Sequence, residues 1–278
     1  MELIDLHVHS NASDGSLSPS EVADEAMRMG LSAIALTDHD TVDGISEILE
    51  YTKDKPLEVV PGIELSCYYG DREIHILGYF MDYENPEFLK ELSAIKQARE
   101  NRNIRMVELM QKDGINISMD MLLHGNPDSV ITRAHFARVL METGVCKDKA
   151  TVFKKYIGEG CKYYLPKPRV ECEQAMRLIN TYGRAAYLAH PLLYHMGYKQ
   201  IFELLTTLKE LGLKGVECHH SSNNAYESDK LRSMALELGL EISGGSDFHG
   251  AIKPDIMMGK GRGGMRIPMR FLDVIKRL

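Results

Sequence analysis

Tryptophan is absent from the 278-residue chain, aromatic residues make up only 7% of it, and no tract is dominated by glycine, proline or serine. Collagen-like, mucin-like and largely disordered architectures are thereby excluded. Cysteine is sparse: Cys67, Cys146, Cys161, Cys172 and Cys218 are odd in number, scattered, and form no CxxC. They fit neither a disulfide framework nor a thiolate zinc site, and read as reduced, mostly buried fillers. Also missing is any run approaching the ~18 apolar residues of a membrane span, and the opening MELIDLHVHS has no basic-then-apolar leader. A cytoplasmic protein without membrane contact is expected. Basic charge is not in excess, since Lys and Arg total 33 against 40 Asp and Glu, a net charge of −7. No global field exists to hold long DNA or RNA, so an anionic substrate must be gripped by local charge.

What is present is a hydrophobic fraction of 44%, enough for one large domain or a domain carrying an insertion. Leu3 to Val8 reads as a buried strand. Ser18 and Glu21 form a capping box, with Pro19 suited to the first helical turn and Gly30 to the stop. A strand over 33–37 and a helix over 45–53 follow, then two β-rich runs, 59–69 and 73–80, joined as a hairpin around Gly70 and Asp71. Helical patterns then take over at 87–112, 132–142 and 147–157. After Pro166 and Pro168 helices over 171–182, 199–211 and 226–238 alternate with strands over 185–189, 213–218 and 240–245, and a last helix starts near Pro268. Such alternation argues for an α/β fold with a parallel sheet closed into a barrel. The chain divides into a first barrel part, 1–84, a helical insertion, 85–167, and a second barrel part, 168–278.

His7, His9, Asp38, His39, Glu64, His190, Asp247 and His249 fall at or just beyond the predicted strand ends, the face on which barrel enzymes carry their chemistry. A lone strand histidine is usually a core or surface group, but a set at successive strand ends points to metal. Asp14, in the first loop, and His75, on the hairpin, extend the set. The candidate metal ligands are His7, His9, Asp14, His39, Glu64, His75, His190, Asp247 and His249, too many for one ion with an open position. Two or three divalent ions follow. Imidazole mixed with carboxylate suits Mn²⁺, the favoured ion, or Zn²⁺ or Fe²⁺. Paired metals make hydroxide near neutral pH and orient phosphoryl groups, so phosphoester hydrolysis is the expected chemistry. His124, His195, His219 and His220 stay unassigned. Arg99, Arg102 and Arg105 recur every three residues on a predicted helix and form a stripe able to face the rim and clamp phosphate.

LHVHSNASDGSLSP, LTDHDTVDG, GIELS, EIHILGY, LAHP and GGSDFHG resemble the successive motifs of the PHP (polymerase and histidinol phosphatase) superfamily, across nearly the whole chain. The similarity is greatest to phosphoesterases that remove the 3′-phosphate of nucleoside 3′,5′-bisphosphates, with relatives that trim RNA from the 5′ end. The resemblance implies a distorted (β/α)7 barrel with up to three metals: one held by His7, His9, Glu64 and Asp247, a second by Glu64, His75 and His190, a third by Asp14, His39 and His249. Many relatives have histidine at the place of Asp14, which argues against Zn²⁺ there. Arg133 and His135, in ITRAHFARVL, resemble an Arg-x-His element that reaches phosphate. The expected reaction turns a small phosphorylated nucleotide into a nucleoside 5′-phosphate and phosphate through a metal-bound hydroxide. Asp247 would orient that nucleophile or take its proton, and His190 or His249 would protonate the leaving oxygen. The alternatives are 5′ to 3′ exonuclease action on short RNA, histidinol-phosphate hydrolysis, a metal amidohydrolase, or a non-catalytic PHP module.

Overall fold

The computed structural model describes residues 2–278 apart from 125, 128, 167 and 168. Seven strands lie side by side in chain order: β1 (Ile4–Val8), β2 (Ala33–Leu36), β3 (Glu58–Tyr69), β4 (Arg72–Tyr79), β5 (Ala185–Leu188), β6 (Gly215–His220) and β7 (Glu241–Gly245). The outer strands approach each other. Asp247 N–H donates to the His7 carbonyl and His9 N–H to the Phe248 carbonyl, both at 2.9 Å, so the sheet is nearly closed into a barrel.

The sheet is mixed, not parallel throughout: β4 runs antiparallel to both β3 and β5, while the other pairs are parallel. The cause is local. β3 and β4 are joined by two residues, Gly70 (φ 57°) and Asp71, far too short for the crossover that parallel neighbours require. An antiparallel strand presents its N-terminal end where its neighbours present their C-terminal ends. His75, early in β4, therefore reaches the same rim as the rest of the site.

Helices α1 (Pro19–Arg28) and α2 (Ile45–Thr52) cover the first strands, and α1 starts with the Ser18–Glu21 capping box. Then come α3 (Pro86–Lys112), α4 (Met119–Leu123), α5 (Arg133–Glu142) and α6 (Lys149–Val152), which runs on as a π-type turn over Phe153–Ile157. α7 (Cys172–Tyr182), α8 (Tyr198–Glu210), α9 (Ala225–Glu237) and α10 (Arg270–Ile275) complete the chain. None of the described helices is long and apolar enough to cross a membrane. The expected junction at 167–168 lies outside the described residues.

Two apolar clusters hold the barrel, one under the surrounding helices and one filling its closed end, where Leu6, Ala35, Leu77, Tyr79 and Tyr187 meet Ile267 and Leu272. A third belongs to the helical segment, with Met106, Met110, Leu122, Phe136 and Leu140. α3, about 40 Å long at 1.5 Å per residue, spans two of them. Phe88 and Leu92 pack on the barrel, and Met106 and Met110 in the helical segment. Its buried polar residues Arg99, Arg102 and Asn103 fall between those two anchors, which carries them to the junction above the barrel mouth.

Candidate metal centre

The site opens with His7 on β1 and His9 just past its end, two residues apart and both fully buried. A Cβ at Gly245 would sit 2.2 Å from the His7 Cβ, so only glycine leaves room for that imidazole against β7. The following loop is pinned by buried Asp38, which accepts from Ser10 N–H at 2.8 Å and from the Ser10 and Ser13 hydroxyls at 2.6 Å. Asp14 is thereby presented to the rim, and its Oδ2 also accepts from Thr132 Oγ1 at 2.8 Å.

Glu64 stands at the centre. Its Oε1 lies 2.8 Å from His75 Nδ1 and from His190 Nε2, and its Oε2 lies 3.2 Å from the Nε2 atoms of His7 and His9 and 3.0 Å from His39 Nδ1. Asp247 Oδ1 is 3.4 Å from His9 Nε2, and Asp14 Oδ1 is 3.1 Å from His249 Nε2. Four overlapping groups bring one donor atom per residue within 4.8 Å of one another: His7, His9 and Asp247; His7, Glu64 and His190; His39, Glu64 and His75; and His9, Asp14, His39 and His249. Every residue read from the sequence as a candidate ligand falls in one of them.

The donor set fits divalent cations. His7 Nε2, both ring nitrogens of His9, His39 Nδ1, Asp14 Oδ1 and Glu64 Oε2 are buried without a hydrogen-bond partner. Each such atom costs about 1–3 kcal/mol unsatisfied, so their convergence calls for a ligand that takes nitrogen and oxygen lone pairs together. His190 (φ 24°) and Asp247 (φ 57°) hold left-handed backbone without being glycine, a strain that clusters at functional sites. Burial works against the charge on Glu64, but His39, His7 and His75 hold its carboxyl well below the usual range. Asp247 is likewise held well below, burial being outweighed by Lys253 and His249.

Above this cluster lies a cavity of about 190 Å³, with Asp14, His39, His75 and His249 on its floor and Arg99, Arg133, Lys149 and Lys253 among its walls. A family model for the PHP domain matches residues 5–207. The chain belongs to the PHP family. It is 35% identical to a 5′-3′ exoribonuclease of Haemophilus influenzae, over 88% of this chain and 89% of that one. It is also 35% identical to a 3′,5′-nucleoside bisphosphate phosphatase of Chromobacterium violaceum, over 90% of this chain and 88% of that one. A solved structure of an amidohydrolase from Chromobacterium violaceum, with bound sulfate and no metal, superposes with a TM-score of 0.87 at 33% identity, covering 98% of this chain and 96% of that one. The chain is a metal-dependent phosphoesterase of the PHP family.

Around the PHP centre the residues expected to grip substrate fare differently. Arg99 is buried and ion-paired with Asp40, Arg102 is buried and donates to Asn103 Oδ1 at 2.7 Å, and Arg133 donates to Glu73 at 3.2 Å. Arg105 is exposed, and neither it nor Arg102 lines the cavity. A three-residue spacing drifts about 60° per step around a helix, so by Arg105 the stripe has turned some 120° away from Arg99. His135 is also diverted. It is the third residue of α5, its Nδ1 accepts from Thr132 N–H at 3.0 Å, and it lines a neighbouring cavity on the far side of Asp14.

Three PHP-site residues escape a reading of the sequence. Lys253 Nζ lies 2.6 Å from Asp247 Oδ2, and a loop lysine six residues downstream carries no signal of this. Glu217 and His220 are three apart on β6, which in a regular strand would place them on opposite faces. The β6–β7 register shifts between Glu217 and His219, and this bulge turns both inward. Glu217 Oε1 meets His7 Nδ1 at 2.9 Å, and His220 Nε2 approaches Asp247 Oδ2 at 3.6 Å. His219, pointing away, stacks on Phe271.

Proposed function

We propose that the chain removes the 3′-phosphate of nucleoside 3′,5′-bisphosphates with two or three divalent ions, Mn²⁺ foremost. His7, His9, Glu64 and Asp247 would hold one, Glu64, His75 and His190 a second, and Asp14, His39 and His249 a third. When bound, such ions supply Lewis acidity toward phosphoryl oxygens and lower the pKa of water. The chain's own residues position and protonate. Asp247, ionised beside Lys253, orients the attacking water, and His190 or His249 delivers a proton to the leaving ribose oxygen. Arg99 and Arg133, the arginines that line the cavity, hold the remote phosphate, which contributes orientation and not chemistry.

The observation that carries this reading is the pairing, in one cavity, of a histidine and carboxylate floor with four cationic side chains, Arg99, Arg133, Lys149 and Lys253. Three of the four already meet a carboxylate, Arg99 that of Asp40, Arg133 that of Glu73 and Lys253 that of Asp247, and a nucleotide with two phosphates offers them further anionic oxygens that a neutral amide, the substrate type of an amidohydrolase, does not. A second reading, trimming of RNA from a 5′-phosphorylated end, is supported by the 35% identity to the Haemophilus exoribonuclease, since a terminal phosphate suits the same arginines.

Phosphate release from adenosine 3′,5′-bisphosphate and from histidinol phosphate, compared side by side with nucleotide release from a short 5′-phosphorylated RNA, all with Mn²⁺, tests the choice. The bisphosphate is expected to turn over fastest; faster nucleotide release from RNA would favour the second reading. Arg133→Ala is expected to lose at least tenfold more kcat/KM on the bisphosphate than on a 3′-monophosphate, and equal losses would refute the clamp.

A further inference from the structure

We infer that Glu217 is a positioning residue that orients two donor histidines at once, so that metal affinity in this site depends on a carboxylate outside the donor groups. The inference rests on the metal-binding reading above. Glu217 is fully buried on β6 and both of its oxygens are engaged. Oε1 lies 2.9 Å from His7 Nδ1, and Oε2 accepts from the backbone N–H of His190 at 2.7 Å.

Each contact has a chemical consequence. An ionised carboxylate only accepts, so the His7 proton must sit on Nδ1, which leaves the Nε2 lone pair aimed at the space between Glu64 and Asp247. That Nε2 is one of the buried site atoms without a hydrogen-bond partner. A carboxylate behind an imidazole in this way fixes its tautomer and rotation and raises its basicity toward a cation. The second contact acts on backbone. His190 stands at φ 24°, a conformation unfavourable for any side-chain-bearing residue, and the bond from its N–H to Glu217 helps hold it there with Nε2 2.8 Å from Glu64. His7 and His190 belong together in one donor group and His7 also in a second, whereas the group of His9, Asp14, His39 and His249 contains neither. Asp38, equally buried, is the counterpart for that last group, because its bonds to Ser10 and Ser13 hold the loop that carries Asp14.

The test is Mn²⁺ binding by the full-length metal-stripped protein, with Co²⁺ absorption as a second readout. Glu217→Gln keeps the volume but sets an amide N–H₂ against one of two donors. It is expected to fold, to weaken the tight Mn²⁺ sites 10- to 100-fold, and to shift the Co²⁺ ligand-field bands. Glu217→Asp, a methylene short of spanning both partners, is expected to weaken binding in the same direction. Asp38→Asn is expected to weaken a different subset of sites, giving a different Co²⁺ difference spectrum. Wild-type Mn²⁺ affinity in either Glu217 variant overturns the inference, as does a Glu217→Gln difference spectrum that Asp38→Asn reproduces. A wild-type protein that takes up no Mn²⁺ overturns the metal reading itself, an outcome distinct from both.

Discussion

Glu64 touches five imidazoles, those of His7, His9, His39, His75 and His190, and their protonation is set by burial and by the carboxylates around them. Burial lowers His9 and His75, yet Asp247 and Glu64 for the first, and Glu64 and Glu73 for the second, lift both to about 9. At neutral pH these two rings carry protons that a metal must displace. Mn²⁺ loading at pH 7 is therefore expected to release protons, and apparent affinity to fall as the pH is lowered. The share from His9 and His75 should fade as pH rises past about 9, where both are already neutral, while His7, raised well above its ordinary value against burial by Glu217 and Glu64, goes on contributing. Calorimetry at pH 7 in two buffers of different ionisation enthalpy reads the proton count directly; identical heats in both would contradict the assignment of these rings.

At the scale of elements, α5 ties the helical segment to the first loop. Thr132 caps it, its Oγ1 accepting from Ala134 N–H at 3.1 Å, and the same hydroxyl donates to Asp14. Thr132→Ala removes both bonds. It is expected to cost about 1 kcal/mol, or some 2–4 °C in Tm, and to reduce Mn²⁺ uptake without changing the helical content seen by circular dichroism. Unchanged uptake would separate the cap from the site. The elements themselves were legible because each carried its own local signal: the Ser18–Glu21 box, the Gly70–Asp71 turn, the short apolar strands. The candidate ligands were legible for the same reason, lying in short motifs at strand ends. What escaped depends on relations that no local pattern encodes. The bulge in β6 overrides strict alternation at Glu217 and His220, and the drift of a three-residue stripe takes Arg105 out of reach. The cap of α5 claims the His135 nitrogen that the Arg-x-His pattern suggested for phosphate. Parallel pairing failed only at β4, where the hairpin turn, also visible in the sequence, outweighed the strand and helix alternation.

Across the whole molecule, the net charge of −7 and the cationic walls of one cavity are reconciled by location. α3 rests on two separate cores and holds Arg99 and Arg102 between them, while β7 and the loop after it bring Asp247, His249 and Lys253 to the opposite side. The barrel supplies the donors and Lys253, and the helical segment supplies the other three cations, Arg99, Arg133 and Lys149, together with the Thr132 hydroxyl that holds Asp14. The central claim is that this centre works only with divalent ions bound. It is tested most directly by phosphate release from adenosine 3′,5′-bisphosphate after exhaustive chelation and again after Mn²⁺ is restored. The account predicts a loss of at least a hundredfold on chelation and recovery of most of the rate with Mn²⁺; an undiminished rate in protein shown by elemental analysis to be metal-free would contradict it.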